Sequence, residues 1–447
     1  MKITNLNSAS VLIEANGIKI LTDPWLVDGE HYGSWAIYPP RRFEPNYFET
    51  VDYIYISHIH HDHCSLKTLE QLNRTIPVVI HRYETQFMKM NLERLGFKVV
   101  ELMHNQRTEL KNGVFINIIA ADNCNPELCH RYYGCGIVEV NYGSTQIDTM
   151  AVVDNGKFVC VNTNDCPFEL SKTCIELIKK QYQNVDFLLT GYLGAGPYPQ
   201  CFEMLNNDEK IEAAEKKQTQ FLEYGKQYIA AFDPRFYMPF AGTYVLAGKL
   251  TPLNAYRGNP ELEEAKNYFN SIFEQSKNTC VLINPYDFFD LETQTLSKPY
   301  QKIDYTLKNK YINEILSQRK MDYETDTMPV LDDFLPLLTS AFERMNTKRQ
   351  FIKLDTETLV FVYLTDHKAA QLSMNGKGFS VVDDKEIANQ PHYVSYKVDP
   401  RLLIKILKGP RFSHWNNAEG GSHITFSRHP KYIHERPIYY VMNFFHA

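Results

Sequence analysis

His58, His60, His61, Asp62 and His63 crowd five metal-ligand groups into six consecutive positions. Imidazole nitrogens and carboxylate oxygens are what zinc, iron and manganese sites are built from. The cluster follows Tyr53-Ile-Tyr-Ile-Ser57, which reads as a β-strand. A lone histidine on an apolar strand is ordinarily a core residue, but this ligand density at a strand end predicts a metal site. A tight loop after a strand can turn alternate side chains toward one point, and a helix behind the loop can fix the last of them. Ser65 is the expected N-cap of such a helix, from Leu66 to about Leu72.

The spacing His-x-His-x-Asp-His (His58, His60, Asp62, His63) resembles the signature of the metallo-β-lactamase superfamily. The resemblance implies that the first two histidines bind one metal and that Asp62 and His63 serve a second metal or its bound water. His61 is then the variable position and not a ligand, and Asp62 is the catalytic candidate. It also implies an α/β fold, an αββα sandwich.

The elements needed to hold such a site can be read along the chain. Ser10–Ala15 and Ile18–Leu21 alternate around Asn16-Gly17, a type I′ hairpin signal, and Asp23-Pro24-Trp25 ends the second strand. Strands are expected at 77–81, 98–102, 114–120, 157–162, 185–190 and 236–240. Helices are expected at 83–95, closed by Gly96, and at about 208–232. Residues 1–250 are expected to form the metal-binding unit. Residues 251–328, polar and Lys/Glu-rich, read as a helical connector or insertion. Residues 329–447 read as a smaller C-terminal α+β domain with a strand at 358–364 and a helix at 402–408, similar in layout to sterol-carrier-like domains.

Further ligands are sought at strand ends. Asp165, in Asn162-Thr-Asn-Asp-Cys166, stands where a bridging carboxylate is needed; an Asx turn or helix N-cap is the structural alternative. Asp122 ends the 114–120 strand where the superfamily usually has histidine, and His130 lies nearby, so either could complete the site. The histidine the superfamily places after a late strand is missing, because that strand leads into Phe240-Ala-Gly-Thr243. The remainder suits a single metal or a carboxylate-richer iron site. Cys124, Cys129, His130 and Cys135 match no common zinc spacing and read better as buried thiols. Asp23 could orient a ligand histidine, and Gly191–Pro197 reads as a site-lining loop. His414, Trp415, Asn416 and Asn417 suit either a substrate-binding loop, with Arg411 and Arg428 flanking it to pair with a phosphate or carboxylate, or a well-ordered surface turn.

Asn7–Glu14, Leu21–Trp25, Asn162–Cys166, Pro239–Gly242 and His414–Glu419 resemble the metallo-β-lactamase-like part of CMP-N-acetylneuraminate hydroxylases. Those enzymes carry a Rieske domain, whose paired Cys-x-His and Cys-x-x-His motifs this sequence lacks. The resemblance implies an iron-dependent oxygenase acting on a sugar nucleotide or related small polar substrate, with electrons from a separate protein or from the substrate. The alternative is zinc-dependent hydrolysis of an ester, amide or phosphodiester. One or two divalent ions, iron or zinc, are expected as cofactor.

Composition bounds these readings. The chain has 447 residues, 44% hydrophobic, with a formal net charge of -6, which disfavours a general nucleic-acid binder. Nine cysteines without a framework suggest a reduced, cytoplasmic setting, and no run approaches a membrane span.

Overall fold

The computed structural model describes residues 1–83, 86–120, 148–433 and 435–447. Two mixed sheets face each other. The first has the order β17-β16-β1-β2-β3-β5-β6-β7. It holds β1 (Lys2–Asn7), β2 (Ser10–Ala15), β3 (Ile18–Thr22), β5 (Tyr53–Tyr55), β6 (Val78–His81), β7 (Val99–Leu102), β16 (Phe288–Asp290) and β17 (Thr295–Leu296). The second, β15-β13-β12-β11-β10-β9-β8, holds β8 (Thr108–Lys111), β9 (Val114–Ala120), β10 (Thr149–Asp154), β11 (Val159–Asn162), β12 (Phe187–Gly191), β13 (Phe236–Phe240) and β15 (Thr279–Cys280). A short pair joins β4 (Trp35–Ile37) to β14 (Tyr244–Leu246).

Strand alternation sends one face of each sheet into a shared core: Ile3, Val11, Ile13 and Ile20 meet Ile116, Ile118, Val153 and Leu189. The opposite faces are covered by helices. Phe168–Gln181, Asn207–Phe232 and Leu262–Phe273 cover the second sheet, and Leu66–Leu69 and Phe87–Arg94 cover the first. This is the expected αββα sandwich. The hairpin turns on Asn16 and Gly17, both left-handed (φ 49° and 75°), as a type I′ turn requires. The long helix starts at a capping box in which Asn206 and Glu209 exchange side-chain-to-backbone hydrogen bonds.

The stretch 251–328, expected to be helical, also completes both sheets. β15 pairs with β13 and β16 with β1. Strands of two or three residues carry too little alternation to be read from sequence. The C-terminal unit has a five-stranded sheet, β20-β19-β18-β21-β22, with β18 (Leu359–Tyr363), β19 (Lys368–Ser373), β20 (Phe379–Asp383), β21 (Tyr393–Val398) and β22 (Ile424–His429). Its core includes Cys201, Phe202, Leu205, Met321 and Tyr323, and the carbonyl of Phe426 accepts from Glu203 N at 2.9 Å. The unit is thereby packed onto the sandwich. Among the described residues, no helix is long and apolar enough to cross a membrane.

Candidate metal centre

The parallel neighbours β3 and β5 end side by side, which puts Asp23 beside Ser57. Asp23 is fully buried. It accepts from Ser57 N (2.7 Å) and Ser57 Oγ (2.7 Å), and its Oδ2 lies 2.9 Å from His63 Nδ1. The Ser57 hydroxyl has one proton and gives it to Asp23. It can therefore only accept from His58 Nδ1, 2.9 Å away. Both histidines then carry a proton on Nδ1, which leaves Nε2 as the nitrogen each can offer a cation, the arrangement in which a neighbouring carboxylate or hydroxyl orients a ligand histidine.

Those two Nε2 atoms are buried, have no hydrogen-bond partner among the described residues, and aim at carboxylates. His63 Nε2 lies 3.2 Å from Asp165 Oδ1 and 3.4 Å from Asp62 Oδ2. His58 Nε2 lies 3.9 Å from Asp165 Oδ2 and 3.6 Å from Asp148 Oδ1. His58, His60 and Asp165 form one cluster, and Asp62, His63 and Asp165 form another, with donor atoms in each within 4.8 Å of one another. Asp165 is common to both. Unpartnered lone pairs converging on carboxylates fit a divalent cation, and mixed imidazole and carboxylate donors suit zinc or iron.

Asp165 is set by the turn after β11. Asn164 adopts φ 47°, takes Asn162 Oδ1 on its backbone N–H and donates its amide to Thr149 O at 2.8 Å. The next helix begins at Phe168 with Pro167 as N-cap, so the Asp165 carboxylate does not cap it. The loop of the motif closes as Cys64 N reaches His60 O at 2.7 Å, and Ser65 Oγ caps the helix by accepting from Thr68 N. Thr149 Oγ1 donates to Ser57 O at 2.9 Å, tying the two sheets together beneath the cluster.

The electrostatics follow from burial and crowding. Burial drives the His58 pKa well below its ordinary value, helped by His63 and His60. Burial also opposes charge on His63, but Asp165, Asp62 and Asp23 outweigh it and raise its pKa well above the ordinary value. Burial likewise works against an ionised Asp62, but His63 and His31 prevail and its pKa falls well below the carboxylate range. Without a metal, a proton on His63 neutralises the charge that a cation otherwise balances.

The C-terminal residues expected to bind substrate are only partly where that reading needs them. Trp415 is 1% exposed, in the core against Tyr396, so it is not a recognition side chain. The one-turn helix Trp415–Gly420 turns it inward with Ala418. Asn416 Oδ1 instead lies 3.2 Å from His60 Nε2, and Asn417 Nδ2 lies 2.8 Å from His61 Nε2. His414 caps the same helix, with Nδ1 accepting from Asn416 N, and burial lowers its pKa to about 4. Arg411 is exposed. Asp122, Cys124, Cys129, His130 and Cys135 lie outside the described residues. After β13, Ala241 N binds Ser8 O. A Cβ on Gly242 would lie 2.2 Å from Leu193 Cδ2, so a side chain there would require Leu193 to move.

Sequence reading missed Asp148, Glu30 and His31. Glu30 accepts from Ser65 Oγ at 2.6 Å and lies 3.2 Å from His61 Nδ1. The signal in the sequence was Gly29-Glu30-His31-Tyr32-Gly33, two ligand types between glycines.

Residues 2–131 match the model of the beta-lactamase superfamily domain. The chain is 26% identical over 270 residues to a protein of Mycobacterium tuberculosis described as a Rieske 2Fe-2S iron-sulfur protein, covering 58% of this chain and 47% of that one. It is 26% identical over 260 residues to the cytidine monophosphate-N-acetylneuraminic acid hydroxylase of Asterias rubens, covering 55% and 35%. The chain thus spans about half the length, or less, of these curated relatives. Similar solved structures include CmlA, a diiron beta-hydroxylase from Streptomyces venezuelae (14% identity, TM-score 0.39, 63% of this chain and 52% of that one). They also include Igni18, a metallo hydrolase from Ignicoccus hospitalis (13% identity, TM-score 0.40, 64% and 96%). The His58–His63 motif lies inside the residues that match the beta-lactamase superfamily domain.

Proposed function

We propose that the protein is an iron-dependent oxygenase, hydroxylating a small polar substrate such as a sugar nucleotide or related intermediate. The observation that carries this is the donor set. Among the described residues, three carboxylates (Asp62, Asp148, Asp165) stand with three histidines (His58, His60, His63), and the segment after β13 contains no histidine. Such an oxygen-rich set suits iron better than an all-imidazole one. Bound iron would supply the redox chemistry with dioxygen. The protein's own part is to hold His58 and His63 in one tautomer through Ser57 and Asp23, and to bury the histidines away from water. The similarity to hydroxylases of a cytidine monophosphate sugar supports both the reaction and the substrate class. In this reading the electrons come from a separate protein or from the substrate.

Hydrolysis is the second reading, favoured by the intact His-x-His-x-Asp-His spacing of a beta-lactamase superfamily domain. Zinc would be the ion and Asp62 would position the attacking water. Exposing protein loaded with ferrous iron to dioxygen separates the two. Oxygen uptake with a change in the absorption spectrum is expected. Iron indifferent to oxygen, with turnover of esters or phosphodiesters by the zinc form, would overturn the oxygenase reading.

A further inference from the structure

In the loop between β3 and β4, Gly29 (φ 96°), His31 (49°), Tyr32 (58°) and Gly33 (92°) are left-handed within five consecutive positions. This conformation is unfavourable for residues with side chains. It persists where the surroundings over-determine it, often at functional sites. Here the surroundings come largely from the C-terminal unit. His423 Nε2 donates to His31 O at 2.7 Å, Tyr32 OH accepts from His414 N at 2.7 Å, and Trp35 Nε1 donates to Gly420 O at 3.2 Å.

The loop delivers the His31 ring to the metal cluster. His31 is 3% exposed and is backed by Trp35 and His61, with ring centroids 4.3 and 5.4 Å away. Its Nδ1 lies 3.1 Å from the main-chain carbonyl of Asn417, which can only accept, so Nδ1 carries a proton. Its Nε2 has no hydrogen-bond partner among the described residues and lies 3.8 Å from Asp62 Oδ1. The other oxygen of Asp62 faces His63 Nε2. Asp62 thus lies between two rings, one in the motif and one fastened to the C-terminal unit.

We propose that His31 is a positioning residue. It keeps Asp62 turned toward the Asp62–His63–Asp165 cluster and couples that cluster to the 414–423 segment. The inference rests on the metal-site reading above and adds a residue outside the motif to it. Polar partners of ligating carboxylates commonly matter 10- to 100-fold to metal affinity.

The test compares the full chain with His31→Asn and His31→Gln, titrated with Co²⁺ or Zn²⁺ against a chromophoric chelator. The Asn variant keeps a donor near Nδ1 for the Asn417 carbonyl and deletes Nε2. The Gln variant keeps a polar group near Nε2. In His31→Asn we expect an unchanged melting midpoint of the metal-free protein and one ion bound as in wild type. The other ion should bind roughly 10- to 100-fold more weakly, with most of that loss recovered in His31→Gln. The Co²⁺ spectrum should change for the weakened ion alone. Wild-type titration in His31→Asn would overturn the inference alone. Equal weakening of both ions with a lower metal-free midpoint would also overturn it, marking His31 as a core residue. A wild-type chain that binds no ion would overturn the metal-site reading as well.

Discussion

Asn416 Oδ1 lies 3.2 Å from His60 Nε2, a contact between side chains 356 positions apart. An amide oxygen can only accept, so this contact places a proton on Nε2 and leaves His60 Nδ1 as its ligating nitrogen; an amide of the C-terminal unit thus fixes the tautomer of a candidate ligand. Asn416→Leu removes the acceptor. Metal affinity should fall roughly 10- to 100-fold, while Asn416→Asp, which still accepts, should stay within a few fold of wild type. Chelator competition measures both, and equal affinity in the leucine variant would contradict this role.

Asp23 binds three donors with no exposure to water. Asp23→Ala leaves Ser57 N–H, Ser57 Oγ and His63 Nδ1 without their acceptor in a buried place. A loss of about 3–5 kcal/mol is expected, as when one partner of a buried pair is removed. Urea unfolding of the metal-free protein should show it as a lower midpoint, and Asp23→Asn should lose less because its carbonyl still accepts.

Metal binding should release protons. Asp165, Asp62 and Asp23 raise the His63 pKa against the effect of burial, so the metal-free ring holds a proton through the neutral range. A cation must displace that proton, and affinity should therefore rise with pH until the metal-free ring deprotonates. Calorimetry in buffers of different ionisation enthalpy should give a binding heat that tracks the buffer. A buffer-independent heat would show that no proton leaves.

Glu419 gives a separate pH signature. Burial raises its pKa to about 8, opposed only in part by the Trp415 Nε1 hydrogen bond at 3.1 Å. A carboxyl whose folded pKa lies above its unfolded value contributes fully below the unfolded value. That contribution is lost as pH rises through the folded one. Metal-free wild type should therefore lose stability between about pH 5 and 9, by roughly 1–3 kcal/mol after allowing for the partial exposure of the side chain. Glu419→Gln keeps the acceptor for Trp415 and should flatten that dependence. Parallel unfolding curves for the two proteins across this range would contradict the assignment.

What was legible in the sequence was local. The strand 53–55, the ligand run behind it, the Ser65 cap, the Asn16-Gly17 hairpin and Asp165 at a strand end all rest on residue type and short spacing. Asp148 was not legible, because its place at the cluster comes from the pairing of β10 with β9 and β11. Nor were Glu30 and His31, whose roles depend on how a left-handed loop meets the motif and on a segment nearly 400 residues later, with a separation of 386 for His31 and Asn417. Trp415 was misread because its neighbours in sequence are polar. Helical geometry, and not neighbour polarity, turned it into the core.

In the proposed oxygenase one shared carboxylate, Asp165, joins two metal subsites that hold iron. The direct measurement is elemental analysis of wild type and Asp165→Ala purified without air. About two irons per chain in wild type are predicted, with both lost in Asp165→Ala. Its metal-free melting midpoint should stay unchanged, since the side chain of Asp165 is 37% exposed. Tightly held zinc in wild type, or an Asp165→Ala protein that keeps its full metal content, would contradict the account.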